Sequence, residues 1–162
     1  MLTLVAITLL AAGAAGTIWP AFEVDTLAGQ KVKMPGEAAG KASLIVLGFS
    51  KDSGDACKAW VERYTRDGGQ AYMAPVLEGA PRLIRGLIRS GMRKDVPPAL
   101  HRRVLLIYTG QAEWKRRVGF QPGTDKQPYL VVLDKQGRVS WQWHGMMDEK
   151  AYAELRRVAG GL

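Results

Sequence analysis

The sequence predicts an α/β fold, a three-layer sandwich with helices on both faces of a central β-sheet. Three observations carry this. Residues 43–49, SLIVLGF, are apolar on both alternations, as a strand covered on two sides must be. Amphipathic stretches at helical spacing follow at 54–66 and 80–94, interleaved with further apolar runs. The chain then closes on PYLVVLD and RVSWQWH, two runs around Lys135-Gln136-Gly137, and a last helical stripe. Strands that alternate with helices and end in a hairpin plus helix give this layering. The expected sheet is mostly parallel and includes 44–49, 104–108 and 129–133.

Each element has its local reason. FEVDTLAGQKVKMP reads as an N-terminal β-hairpin, two alternating runs around Ala28-Gly29. Residues 54–66 place Ala56, Cys57, Trp60, Val61 and Tyr64 on one helical stripe, with Asp52 or Ser53 as the cap. QAYMAPVLEG is a strand. In APRLIRGLIRSGMRK, Leu83, Ile84, Leu87, Ile88 and Met92 share one helix face and Arg82, Arg85, Arg89 and Arg93 the other. Pro97-Pro98 stops this helix. RRVLLIY is a strand and QAEWKRRVG a short helix. In the last strand Val139, Trp141 and Trp143 should face one way and Ser140, Gln142 and His144 the other. Asp148 caps a final helix that turns Ala151, Tyr152, Leu155 and Val158 inward.

Length and composition narrow the function. A chain of 162 residues, 47% hydrophobic and 23% charged, is one globular domain with a full core rather than a disordered chain. A single cysteine excludes an internal disulfide and any multi-thiolate metal site. With only His101 and His144 besides, no metal-ligand spacing exists, and no motif implies a cofactor. Residues 1–20 carry no charged side chain; the apolar run Leu2–Ala12 followed by AAGAAG reads as a secretory segment cleaved after Ala14 or Gly16, as an uncleaved anchor, or as a buried N-terminal strand or helix. The first two place the remaining domain, 21–162, in the cell envelope. The formal charge is +8, and residues 82–117 hold ten basic side chains against Asp95 and Glu113, so the whole excess is local.

The order of elements resembles the thioredoxin-like fold of the redoxin and TlpA type. FEVDTLAGQKVKMPGEAAGKASLIVLGFS is similar to that family's opening segment and KQPYLVVLDKQGRVSWQWHG to its closing one. Pro128 then matches the position where the family carries a cis-proline facing the active site. The redox motif does not match. Laid from Phe49, CxxC falls on GDAC, so Gly54 stands where the attacking cysteine belongs and Cys57 where the resolving one does. The chemistry needs the first thiol exposed at the helix N-terminus. Cys57 instead falls within the apolar stripe, where a thiol acts as a small hydrophobe. Within the superfamily, the basic helix before the X-Pro strand, WKRRVGF, YLVVLD and RVSW resemble the mitochondrial ATP synthase assembly factor family. That likeness implies a non-redox chaperone for membrane-sector subunits.

Two functions from different classes therefore stand. One is a non-redox binding or assembly factor, with Ser53, Gly54, Cys57 and Pro128 as active-site-equivalent positions. Its Arg82, Arg85, Arg89 and Arg93 would meet an acidic membrane surface or membrane-protein subunit. The other is a single-cysteine redoxin or peroxiredoxin-like oxidoreductase that uses Cys57. Nucleic acid is excluded as a partner, because no aromatic platform interleaves the arginines.

Overall fold

The computed structural model describes residues 16–161; the apolar run before Gly16 lies outside the described residues. The described chain starts packed on the domain. The Gly16 amide donates to Val139 O at 2.6 Å, Ile18 bridges Arg138, and Trp19 is buried beside Trp114. Residues 16–20, grouped above with the leader, thus run along the closing hairpin. No helix among the described residues is long and apolar enough to cross a membrane.

Among the described residues, seven strands and four α-helices follow. They are β1 (Phe22–Thr26), β2 (Lys31–Met34), β3 (Ser43–Gly48), α1 (Gly54–Arg66), β4 (Gln70–Pro75), α2 (Arg85–Asp95), β5 (Leu105–Leu106), α3 (Gln111–Arg117), β6 (Tyr129–Leu133), β7 (Val139–His144) and α4 (Glu149–Gly160). One sheet has the order β2-β1-β5 and the other β4-β3-β6-β7. Parallel bridges Met73–Val104 and Val76–Ile107 join them.

The sheet is mixed rather than mostly parallel. β3 and β4 are parallel, whereas β6 runs antiparallel to β3, β7 to β6, and β1 to both β2 and β5. Period-2 patterning sets which face a residue takes and is silent about strand direction, so the apolar runs were legible and their sense was not. The 104–108 run contributes only two ladder residues, flanked by isolated bridges.

Alternation along β3 builds the two cores. Ile45 and Leu47 face one layer with Trp19, Trp114, Val118 and Tyr129. Leu44 and Val46 face the other with Cys57, Trp60, Val61, Tyr152 and Leu155. Every β3 residue is buried, which is why no polar side chain interrupts the run after Ser43. Ser43 itself is tied by Gln70 Nε2 at 2.7 Å and donates to Ala38 O.

The last hairpin departs from simple alternation. A register shift pairs Val132 with Trp141 but Leu133 with Val139, leaving Ser140 as the extra residue. Val139 therefore enters the first core, while Trp141 and Trp143 stack nearly parallel over the second. A bulge reverses the facing of every residue beyond it, so the expectation that Val139 faces with the tryptophans does not hold.

Candidate functional site

The C-terminal ends of β3 and β4 and the start of β6 form one pole of the sheet. There the chain turns through Ser50–Ser53 into α1. Ser50 is the cap: its Oγ accepts from the Ser53 amide at 3.2 Å and donates to Asp125 O at 2.6 Å. Ser53, expected as cap, instead donates its hydroxyl to Ser50 O at 2.7 Å and is fully buried. A 3-10 turn over Lys51–Ser53 precedes α1, and this shifts the capping role back by one turn.

Cys57 lies one helical turn beyond Ser53 and is 2% exposed. Its Sγ sits 3.7 Å from Leu47 O. Burial pushes the thiol up from 9.0 to about 12, with the Ser53 hydroxyl and the helix amide pulling weakly the other way. At neutral pH it is a protonated, enclosed thiol. Gly48 makes this packing feasible. A Cβ there would stand 2.7 Å from Ser53 Oγ and 3.1 Å from Cys57 Sγ. The helix start therefore settles on the end of β3 only because that residue has no side chain.

Pro128 lies at the same pole, as the resemblance implies. It precedes Tyr129, which pairs with Leu47, and the loop before it crosses the Ser50 turn through the Ser50–Asp125 bond. The cis peptide is Met34–Pro35 and not Gln127–Pro128, so the cis-proline expectation is corrected. Cis and trans X-Pro bonds differ by only about 0.5–1 kcal/mol, and local sequence cannot choose between them. Beside it, the aromatic rings of Phe49, Phe120, Tyr129 and His144 pack in succession. His144 stacks on Tyr129 at 4.8 Å and shares a 2.8 Å hydrogen bond with Gln127, which fixes it as a packed residue.

Between α1 and α2 the same pole opens into a cavity of about 620 Å³. Its floor is Gly48, Cys57, Met73, Pro75 and Val76, and its far wall is Leu87, Ile88, Gly91 and Met92 of α2. Gly54, at the attacking-cysteine position, lies on its margin with Ser53. Lys58 closes the α1 side, 3.7 Å from Asp55 and 3.3 Å from Asp95 O. A mostly apolar hollow of this size is in the range of ligand and peptide sites.

The arginine helix is oriented against expectation. Arg85 stacks 4.2 Å over the Tyr108 ring and donates to Ala80 O, and Arg93 Nε donates to Leu27 O at 2.9 Å. Arg89 is half-buried, and its Nε has no partner. Of the four, Arg82 alone is exposed and without a contact to the body. The apolar face, which periodicity would place inward, is divided: Ile88 and Met92 are half-buried toward the groove and the second core, whereas Leu83 is 98% and Leu87 76% exposed. Aliphatic stems and planar guanidinium groups pack well on rings and carbonyls. A basic face is thus as able to dock inward as an apolar one.

The 82–117 charge is also divided. α3 belongs to the opposite layer through Trp114, and Arg116 and Arg117 there pair with Glu113. Among the described residues no group of histidine, cysteine and carboxylate side chains could hold a metal ion.

No family model matches the sequence, and no curated protein matches it at the sequence level. Solved structures do. The exposed lipoprotein thioredoxin Etrx1 of Streptococcus pneumoniae is similar over 85% of this chain and 98% of its own, with 12% identity and a TM-score of 0.56. BsSco, a member of the Sco family of cytochrome c oxidase assembly proteins, matches over 90% and 95%, with 9% identity and a TM-score of 0.60. A yeast mitochondrial 1-Cys peroxiredoxin matches over 89% and 74%, with 10% identity and a TM-score of 0.57. None of these is an ATP synthase assembly factor, and that finer resemblance gains no support. With the buried β3, the α1 turn at its end and Pro128 at the same pole, the chain has the thioredoxin-like fold of the redoxin type.

Proposed function

We propose that this chain is a thioredoxin-like binding domain of the cell envelope. It acts as a binding or assembly (chaperone-like) factor at an acidic membrane surface and does no thiol chemistry. The observation that carries this reading is the sealed Cys57 beneath an open groove: the thiol is 2% exposed with its pKa pushed to about 12, while the cavity beside it stands open. A nucleophilic thiol needs the reverse, exposure and a lowered pKa. A lone cysteine, moreover, cannot resolve a mixed disulfide without an external thiol. The uncharged 1–20 segment and the likeness to an exposed lipoprotein support an envelope location.

The second reading, a single-cysteine redoxin, has one observation in its favour: Cys57 borders the groove, as a substrate-facing thiol would. Thiol labelling decides between them. The binding-domain reading expects Ellman's reagent to modify the native protein at least ~30-fold more slowly than the urea-unfolded chain at pH 7.5. A thiol raised by about 3 pK units has ~10³-fold less thiolate, and its greater basicity restores roughly half of that on a logarithmic scale. Occlusion slows the reaction further. Labelling of the native protein as fast as the unfolded chain would overturn the sealed thiol and favour the redoxin.

A further inference from the structure

The amphipathic helix exposes its greasy side. Five large hydrophobic residues are exposed among the described residues, and three of them, Leu83, Ile84 and Leu87, lie within two turns at the start of this helix. Ile18 and Met146 are isolated from them and from each other in sequence. The ridge is held outward by its own opposite face. Arg85 on Tyr108 and Ala80 O, and Arg93 on Leu27 O, anchor the helix by that face, while Ile88 and Met92 turn to the groove and Leu83 and Leu87 stay exposed at its rim.

The charge beside the ridge is uncompensated. Arg82, Arg85, Arg89, Arg93 and Lys94 have no carboxylate within ion-pair distance among the described residues, and Asp95 is the only acid between 82 and 95. An outward apolar ridge within an unpaired cationic surround fits a surface that is itself anionic outside and apolar just beneath. That is a bilayer rich in acidic lipid, whose headgroups meet the basic groups while the leucines enter the acyl boundary. A neutral apolar partner would leave the cations unmatched, and an acidic soluble peptide would leave Leu83 in water.

We infer that Leu83, Ile84 and Leu87 form a membrane-insertion ridge, with Arg82 and Lys94 as its headgroup contacts. The inference rests on the membrane-surface reading above and names the residues and the lipid class that serve it. It also reassigns the work: the arginine row pins the helix, and the leucines bind.

The test is site-specific, because the apolar residues 1–15 can themselves partition into vesicles. The full chain carrying Cys57→Ala and Leu83→Cys is labelled at position 83 with an environment-sensitive nitrobenzoxadiazole dye. It is then mixed with phosphatidylglycerol-rich or pure phosphatidylcholine vesicles. The expected result is a blue shift and protection from aqueous quencher on the anionic vesicles only. Leu83→Ser/Leu87→Ser in the unlabelled full chain should also sediment with anionic vesicles at least ~10-fold more weakly. Both leucines are exposed, so circular dichroism and the urea midpoint should stay unchanged.

An unshifted dye on a protein that sediments with anionic vesicles overturns the ridge and leaves the membrane-surface reading standing. Absence of sedimentation by the wild-type chain overturns both. A lipid-independent dimer that Leu83→Ser/Leu87→Ser abolishes would make the ridge a self-interface and also overturn the inference.

Discussion

Gly48→Ala tests whether the α1 start is seated as the geometry demands. The new Cβ would lie 2.7 Å from Ser53 Oγ and 3.1 Å from Cys57 Sγ. Ser53 is fully buried and its hydroxyl is committed to Ser50 O at 2.7 Å. Rotating it away leaves a buried hydroxyl unmatched, which costs about 1–3 kcal/mol. Moving the backbone costs a similar 1–3 kcal/mol of overpacking. Replacing glycine stiffens the unfolded chain and returns about 0.4–1 kcal/mol. The net expectation is destabilisation of about 1–2 kcal/mol, read as a lower urea midpoint by tryptophan fluorescence. Ser53→Ala removes the nearer clash and leaves the 3.1 Å sulfur contact, so the double variant should be less destabilised than the two single changes summed. The coupling should be about 1 kcal/mol. A Gly48→Ala variant within 0.3 kcal/mol of wild type by that roughly additive standard, or a double variant that is simply additive, would refute this seating.

Three further outcomes follow from individual contacts. Burial raises the Cys57 pKa from 9.0 to about 12, so the folded state resists losing that proton and the unfolded state does not. Stability from this group is full below pH 9 and falls as pH rises toward 12, by at most roughly 4 kcal/mol; it is read as the pH-dependent difference between wild type and Cys57→Ala. Arg93→Gln should lower stability by about 1–2 kcal/mol through the lost Leu27 O bond, while Arg82→Gln, which touches nothing in the body, should fall within about 0.5 kcal/mol of wild type in the same urea titration. Trp60→Ala should cost about 3–5 kcal/mol by thermal or urea unfolding. It empties a fully buried site packed on Trp143 and Tyr152 and leaves Gly145 O without the indole donor.

What the sequence revealed, and what it hid, divides along one physical line. Features set by a residue and its near neighbours were legible: the doubly buried β3, the α1 stripe over Gly54–Arg66, the β1–β2 hairpin and the Asp148 cap, whose carboxylate accepts from Ala151 N at 2.7 Å. The enclosure of Cys57 was legible too, because it falls between Ala56 and Trp60 on that stripe. Features decided by distant partners were hidden. Nothing local to Arg85 or Arg93 announces Tyr108 or Leu27, so amphipathicity gave two faces of α2 but not that each would be only partly turned inward. Ser140 bulges because β6 pairs on both sides of it, and the Ser50 cap exists because a 3-10 turn intervenes before α1. The groove has no sequence signal of its own. Met73, Pro75 and Val76 read as ordinary strand residues until α2 stands away from them.

The place where the described chain begins bears on how the domain can meet a bilayer. Gly16 bonds Val139 at the start of β7, at the pole where β3 begins, whereas Leu87 of the ridge lines the groove at the opposite pole, beside β4. β3 spans six residues, about 20 Å, and three strand spacings from β7 to β4 add roughly 14 Å across. The end of β4, which leads into the ridge-bearing helix, is therefore diagonal to Gly16, about 25 Å away by these spacings. Attachment to a bilayer before Gly16 together with contact through the ridge would grip the body at two separated points and fix its tilt, whereas either contact alone leaves the domain free to swing.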